Sequence, residues 1–495
     1  MEPIVELTAG RVRGRSTDGV TAFLGIPYAE APTGPAAFAA PVRVTPWDGV
    51  RDATTQGATA PQPPYDPPFD QLLSNPLYDG PEFLNVNVWT PGGSGLPVMV
   101  WLPGGAFRNG SNAVPTYDGS AFARDGVVLV SVNYRLGVQG FGVVENSPAN
   151  RGLLDQLAAL AWVQENIAAF GGDPGRVTVF GQSAGGMSVA TLLSIPASRG
   201  LIQRAIVQSG SGQAVAIGTE ATFATAEVAK RLGVEASAAG LGSVPLTELI
   251  AIQGAVAAEL RQNPDPERWG PSVVRAGGGI MPFFPVIDGD LVRERPIDAI
   301  AKGAARGIDL MVGTTTEEFR LFTIPTGVAA AITAEALPVL TARMGLPPAI
   351  AEIYAANRPG LSPGEVVAAI TSDAFFVVPT MRLAEAHQGT TFAYEFDWRT
   401  PVGGLGACHA LELPFVFDTL GSGSTALTGP GAPQELADRM HAAWVAFATS
   451  GDPGWPQYDT ASRAVMTFDQ PVSRVIESPR ATEYALWAAL GSPHG

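Results

Sequence analysis

Apolar and polar positions along the chain change their period in a repeating order. Val5 to Arg15 and Thr21 to Gly25 alternate around Gly and Asp turns and predict β-structure. A proline-rich, polar stretch from 52 to 82 predicts a long irregular surface loop. Beyond it come short, mostly apolar runs: Pro97 to Leu102, Val127 to Asn133, Arg176 to Phe180 and Arg204 to Gln208. Segments of helical spacing lie among them. Leu153 to Phe170 keeps Leu154, Leu157, Leu160, Ala161 and Val163 apolar, and Ala184 to Ser194 is the second such segment. Further strands are expected at Ile308 to Gly313, Thr391 to Glu395 and Ser473 to Ile476. Apolar strands alternating with helices predict an α/β fold, a central and mostly parallel sheet flanked by helices on both faces. Helical blocks at about 215 to 265 and 328 to 370 are expected to insert as a cap. No repeat or clean linker divides the chain, so one domain over 1–495 is expected.

Composition narrows the class. Hydrophobic residues are 46% and charged residues 15% of the chain, enough to build a large core and too little charge for disorder. A net charge of −16 repels nucleic-acid phosphates and anionic lipid. The start of the chain lacks a basic segment followed by an apolar one, and no uninterrupted apolar run reaches membrane-spanning length. Cys408 is the single cysteine, so no internal disulfide can form. A cytoplasmic protein is therefore expected. The oligomeric state is not fixed by these features, and a monomer is compatible with them.

Gly181, Gln182, Ser183, Ala184 and Gly185 spell Gly-x-Ser-x-Gly once, after an apolar strand and before a helix. A serine on such a sharp turn projects its hydroxyl outward, and the flanking glycines relieve clashes. Ser183 is the expected nucleophile, with the N–H of Ala184 as one oxyanion donor. A serine hydroxyl needs a general base. Four histidines are available: His387 ends a polar helix, His441 lies on a helix of packing periodicity, and His494 sits at the terminus. His409 follows a Gly-rich loop, which suits a mobile imidazole but does not by itself assign a role.

The stretch Phe170 to Gly185 resembles the active-serine signature of the type-B carboxylesterase family, which includes the cholinesterases and bacterial carboxylesterases. Asn133 to Gly137, Asn150 to Ile167, Leu84 to Pro91, Gln208 to Gly210 and Pro285 to Gly289 are similar to that family too, in order along the chain. The resemblance implies an α/β-hydrolase fold and a serine esterase that needs no metal or organic cofactor. Through Gly406 to Phe417 it assigns the base to His409. Through Met311 to Phe319 it assigns the triad acid to Glu318, with Glu317 as the alternative. The resulting order Ser183, Glu318, His409 is that of this fold. Trp101 to Phe107 resembles the family's oxyanion loop and gives Gly105 and Ala106 as further donors. By the same likeness, Gly279, Met281 and Phe283 belong to the acyl pocket. Phe107, Phe319 and Phe322 are expected along an apolar gorge, with Phe415 beside them.

Four positions depart from the family pattern. Phe83 stands where many members carry a disulfide cysteine, in keeping with a bacterial, disulfide-free member. Gln182 replaces the usual glutamate, which argues against a dedicated choline-ester enzyme. Pro103 and Phe319 replace a His or Tyr and a glycine. The expected substrate is a small, uncharged short-to-medium or aromatic ester. An amidase, carbamate or thioester hydrolase with the same triad, or a non-catalytic cholinesterase-like binding protein, are the alternative readings.

Overall fold

Strand periodicity divides the chain's apolar residues between two faces of one sheet. The computed structural model describes residues 2–347, 349–421 and 425–490; His494 lies outside the described residues. The central sheet comprises β1 (Arg15–Thr17), β2 (Val20–Pro27), β3 (Asn85–Thr90), β4 (Leu96–Leu102), β5 (Val128–Val132) and β6 (Gly172–Gln182). It continues with β7 (Arg204–Gln208), β8 (Asp309–Thr315), β9 (Thr391–Phe396), β10 (Ala464–Phe468) and β11 (Arg474–Glu477). Their spatial order is β11-β10-β9-β8-β7-β6-β4-β5-β3-β2-β1. The middle, from β10 through β5, is parallel, and both edges turn antiparallel. This is the mixed, mostly parallel sheet of an α/β-hydrolase fold.

The central strands are buried along nearly their whole length, which is why they read as apolar runs. Val98, Val100 and Leu102 of β4 join the core on one face, and Met99 and Trp101 join the core on the other. Helix α1 (Arg151–Asn166) and helix α2 (Ala184–Ser194) cover the first face. A later helix, Gln434–Ser450, covers the second with Leu436, Met440, Trp444 and Phe447.

Two strands of the central sheet escaped the sequence reading. In β3, Asn85 and Asn87 weaken the strand signal. Both are buried because they tie the strand to the irregular loop: Asn85 Nδ2 donates to the Ala58 carbonyl at 2.8 Å, and Asn87 Nδ2 donates to Gln56 Oε1 at 2.9 Å. The other, β10, is a five-residue strand near the sheet edge. Strand β6 begins earlier than expected, at Gly172, because Leu96 pairs there before a register shift.

The first helical block contains α3 (Gly218–Leu232) and α4 (Leu246–Gln262). The second ends in α5 (Pro363–Ser372), which runs through a π-turn at Asp373–Val377 into α6 (Val378–Ala386). This continuous stretch of 24 residues has the length and mean hydropathy of a membrane span, although Glu365, Asp373, Arg382 and Glu385 interrupt its apolar run. It is woven into the fold: 61% of its most apolar window is buried, and Thr380 Oγ1 donates to the Gly210 carbonyl at 2.6 Å.

Candidate active site

The carboxyl ends of the parallel strands bring four chain segments together, the place where open α/β sheets bind ligands. Ser183 follows β6 and opens α2, with φ 57° and ψ −124°. A non-glycine residue in that region is strained by about 1 to 3 kcal/mol, so its neighbours must hold it there. The Ser183 N–H donates to the Gln208 carbonyl at 2.9 Å, and its carbonyl accepts the Met187 N–H at 2.8 Å. A Cβ on Gly185 would stand 1.9 Å from the Leu102 carbonyl oxygen, so only glycine lets the turn pack against β4.

Glu318 lies three residues past β8 and is fully buried. Its Oε1 accepts from Thr315 N–H at 2.9 Å and from Ser209 Oγ at 2.6 Å, and its Oε2 meets His409 Nδ1. The main chain binds the same two loops, with His409 N–H donating to the Glu318 carbonyl at 3.2 Å. Glu317, the alternative acid, turns away: it pairs with Arg399 at 2.5 Å and accepts the Ala407 N–H at 3.0 Å. Phe319 fits where glycine is usual because its φ of −74° is ordinary right-handed backbone. Ser209 had a signal in the Gln208 to Gly210 match, but nothing in the sequence gave its contact with the acid.

His409 is 5% exposed and sandwiched near Phe322 and Phe376, with ring centroids at 5.4 and 4.7 Å. Gln182 Nε2 lies 3.1 Å from its Nε2. His387 and His441 are spent elsewhere. His387 bridges Thr391 and the Ala305 carbonyl, with burial holding its pKa below the ordinary value, and His441 Nδ1 donates to the Val416 carbonyl at 2.8 Å.

The loop after β4 completes the constellation. A Cβ on Gly104 would lie 2.6 Å from the Gln182 carbonyl oxygen and 3.3 Å from Ser183 Cβ, so this loop rests directly on the Ser183 turn. Gly105 and Ala106 both have positive φ, 117° and 56°. Pro103 keeps the loop anchored through its carbonyl, which accepts Tyr134 Oη at 2.6 Å. Ala184 opens α2, where the first N–H groups have no partner within the helix.

Gly104 to Ala106, Ser183 and His409 line one cavity of about 680 Å³. Of the expected substrate-binding residues, Gly279, Met281, Phe319 and Phe322 line it. Phe107, Phe283 and Phe415 do not. Phe107 packs edge-on against Phe141 at 4.7 Å, Phe283 is buried in the core on the α1 face, and Phe415 packs on Phe396 and Trp398. Phe375 and Phe376 of the π-turn, and Phe69, Leu72 and Leu73 of the irregular loop, take the wall positions instead. None of these had a sequence signal, because an apolar side chain on a helix or loop looks the same whether it faces a core or a cavity.

A serine on a strained strand-to-helix turn, beside a buried carboxylate–imidazole pair and a loop of glycine-rich backbone, can perform acyl transfer. Fold and site together define a serine hydrolase of the α/β-hydrolase class. The sequence profile of the carboxylesterase family matches residues 1–487, and the chain belongs to that family. Its activity is the hydrolysis of carboxylic esters. It is similar to the para-nitrobenzyl esterase of Bacillus subtilis (strain 168), 36% identical over 95% of each chain. It is 34% identical to the phenmedipham hydrolase of Pseudarthrobacter oxydans over 94% of each. Among solved structures, a Geobacillus stearothermophilus carboxylesterase superposes with a TM-score of 0.84 at 36% identity, covering 98% of this chain and 99% of that one.

Proposed function

We propose that Ser183, His409 and Glu318 form the triad of this esterase and that it works through an acyl-enzyme. His409 takes the proton from Ser183 as the hydroxyl attacks the ester carbonyl. The N–H groups of Gly105, Ala106 and Ala184 hold the developing oxyanion, a contribution of about 3 to 4 kcal/mol per donor. Alcohol departs with the proton from His409. Water, activated by the same imidazole, then releases the acid. The single observation that supports this reading most is the buried Glu318–His409 pair opening on the same cavity as Ser183.

The apolar floor of that cavity supports short-to-medium and aromatic acyl groups. Gly279 leaves room beside it, and Met281 offers an adaptable wall. The para-nitrobenzyl esterase likeness is in keeping with an aromatic alcohol part. The enzyme is read as a cytoplasmic bacterial protein of one catalytic domain acting on small molecules, supported by its lone, buried Cys408 and acidic charge. A series of acetyl to decanoyl esters of one aromatic alcohol tests the substrate range: kcat/KM should peak at short-to-medium acyl length. A steep preference for choline esters, or faster turnover of the matched amide or thioester, would contradict it.

A further inference from the structure

The cavity wall holds two guanidiniums for one carboxylate. Arg108 and Arg261 both line it, and Asp66 is the one acidic residue among the lining. Arg108 Nη2 reaches Asp66 at 3.3 Å, whereas Arg261 Nη2 stands 3.9 Å from it. Arg108 lies two residues past Ala106 on the oxyanion loop, and Arg261 occupies the last turn of α4. Side-chain exposure falls from 61% at Asp66 through 45% at Arg261 to 18% at Arg108, so the positive charge leads from the rim inward.

A purely structural reading accounts for only part of this. A cation in the last turn of a helix is favoured by the helix dipole, and Arg108 is paired with Asp66. Yet Arg108 Nε is buried with no partner among the described residues, and a buried donor left unpaired costs about 1 to 3 kcal/mol. Burial and the nearby Arg108 hold the Arg261 pKa below its ordinary value, so the two cations repel across a single acid. Tyr65 lines the same wall, and burial pushes its phenol up to about 12, leaving it a neutral O–H donor. An unpaired buried donor and excess positive charge, on a chain of net charge −16, mark a site for an anion.

We propose that Arg108 and Arg261 form a carboxylate-binding subsite and that esters bearing a second, free carboxylate are preferred substrates. The half-esters of dicarboxylic acids are the simplest of the class. The planar guanidinium fork suits a carboxylate, and its charge draws an anionic ester past an otherwise repelling surface. The inference rests on the esterase reading above and adds a substrate class to it.

The test compares kcat/KM for monomethyl adipate and dimethyl adipate in the intact enzyme and in Arg261→Gln. A second pair, 4-acetoxybutanoate and 4-acetoxybutanamide, moves the charge to the alcohol side and tells which half of the ester the subsite reads. In at least one pair the ratio of charged to neutral ester should fall about tenfold on substitution, partly recover in Arg261→Lys, and fall with added salt. Ratios unchanged by Arg261→Gln in both pairs overturn the inference while leaving the esterase reading intact. A wild-type protein inactive on all four esters overturns both.

Discussion

Gln182 Nε2 lies 3.1 Å from His409 Nε2 and 3.4 Å from Nδ1, so its amide rests against the ring whose Nδ1 meets Glu318. A carboxylate only accepts hydrogen bonds, so Nδ1, facing Glu318, carries the ring proton and Nε2 presents its lone pair. The Gln182 amide, close to both ring nitrogens, lies off the line of that lone pair, and among the described residues no hydrogen bond joins Nε2 to Ser183. Proton transfer therefore requires Ser183 Oγ and His409 Nε2 to come within hydrogen-bond reach, a small movement typical of sites without substrate.

Gln182→Glu places a carboxylate beside that imidazole. An adjacent negative charge favours the imidazolium, so the acid limb of the pH profile of kcat/KM should move up by about one pH unit. An unmoved limb would show that residue 182 does not touch the base in solution.

The two adjacent glutamates should separate sharply. Glu318→Gln removes the acceptor that fixes the imidazole tautomer, and kcat should fall by about 10³- to 10⁴-fold. Glu317→Gln breaks exposed pairing with Arg399 and should cost less than about tenfold. Steady-state kinetics of both variants check this, and comparable losses would reassign the acid.

Gly104→Ala drives a methyl group to 2.6 Å from the Gln182 carbonyl oxygen. The oxyanion loop must lift from the nucleophile turn, and kcat should drop by about 100-fold or more. Circular dichroism should stay that of the folded enzyme.

Glu412, three residues past His409 in the chain, is fully buried, and Gln208 Nε2 donates to its Oε1 at 3.3 Å. Burial first, and then the charge of Glu318, pushes its carboxyl from 4.5 to about 8. The folded value lies above the unfolded one, so the folded chain keeps a proton that the unfolded chain has lost between those values. Stability contributed by the neutral carboxyl is complete below pH 4.5 and is lost as pH rises toward 8. Glu412→Gln keeps the neutral shape at every pH. Its melting temperature relative to wild type should therefore rise by about 2 °C or more between pH 5 and pH 8. A difference that stays flat with pH would contradict the buried, proton-holding carboxyl.

The chemistry was more legible in the sequence than the cavity was. Ser183 announced itself because a strained turn tolerates few residue types around it. Glu318 and His409 became legible through the family resemblance of their loops, since neither residue alone differs from a solvated carboxylate or a surface imidazole. Strands β4 to β7 read correctly because burial on both faces leaves an unbroken apolar run. Strand β3 did not, because Asn85 and Asn87 work as internal ties to a loop. The walls were least legible. Phe107 and Phe283 were expected in the cavity and lie in the core, and the π-turn that delivers Phe375 and Phe376 has no periodicity of its own. Which way an apolar side chain faces depends on tertiary packing, and a single sequence holds no record of that.

The most direct measurement is covalent labelling with a fluorophosphonate, followed by peptide mass spectrometry and an activity assay on the same sample. The account predicts one phosphonyl group per chain, on Ser183, with ester hydrolysis lost in proportion to labelling and both absent in Ser183→Ala. Labelling at another residue, or undiminished ester turnover in Ser183→Ala, would contradict it.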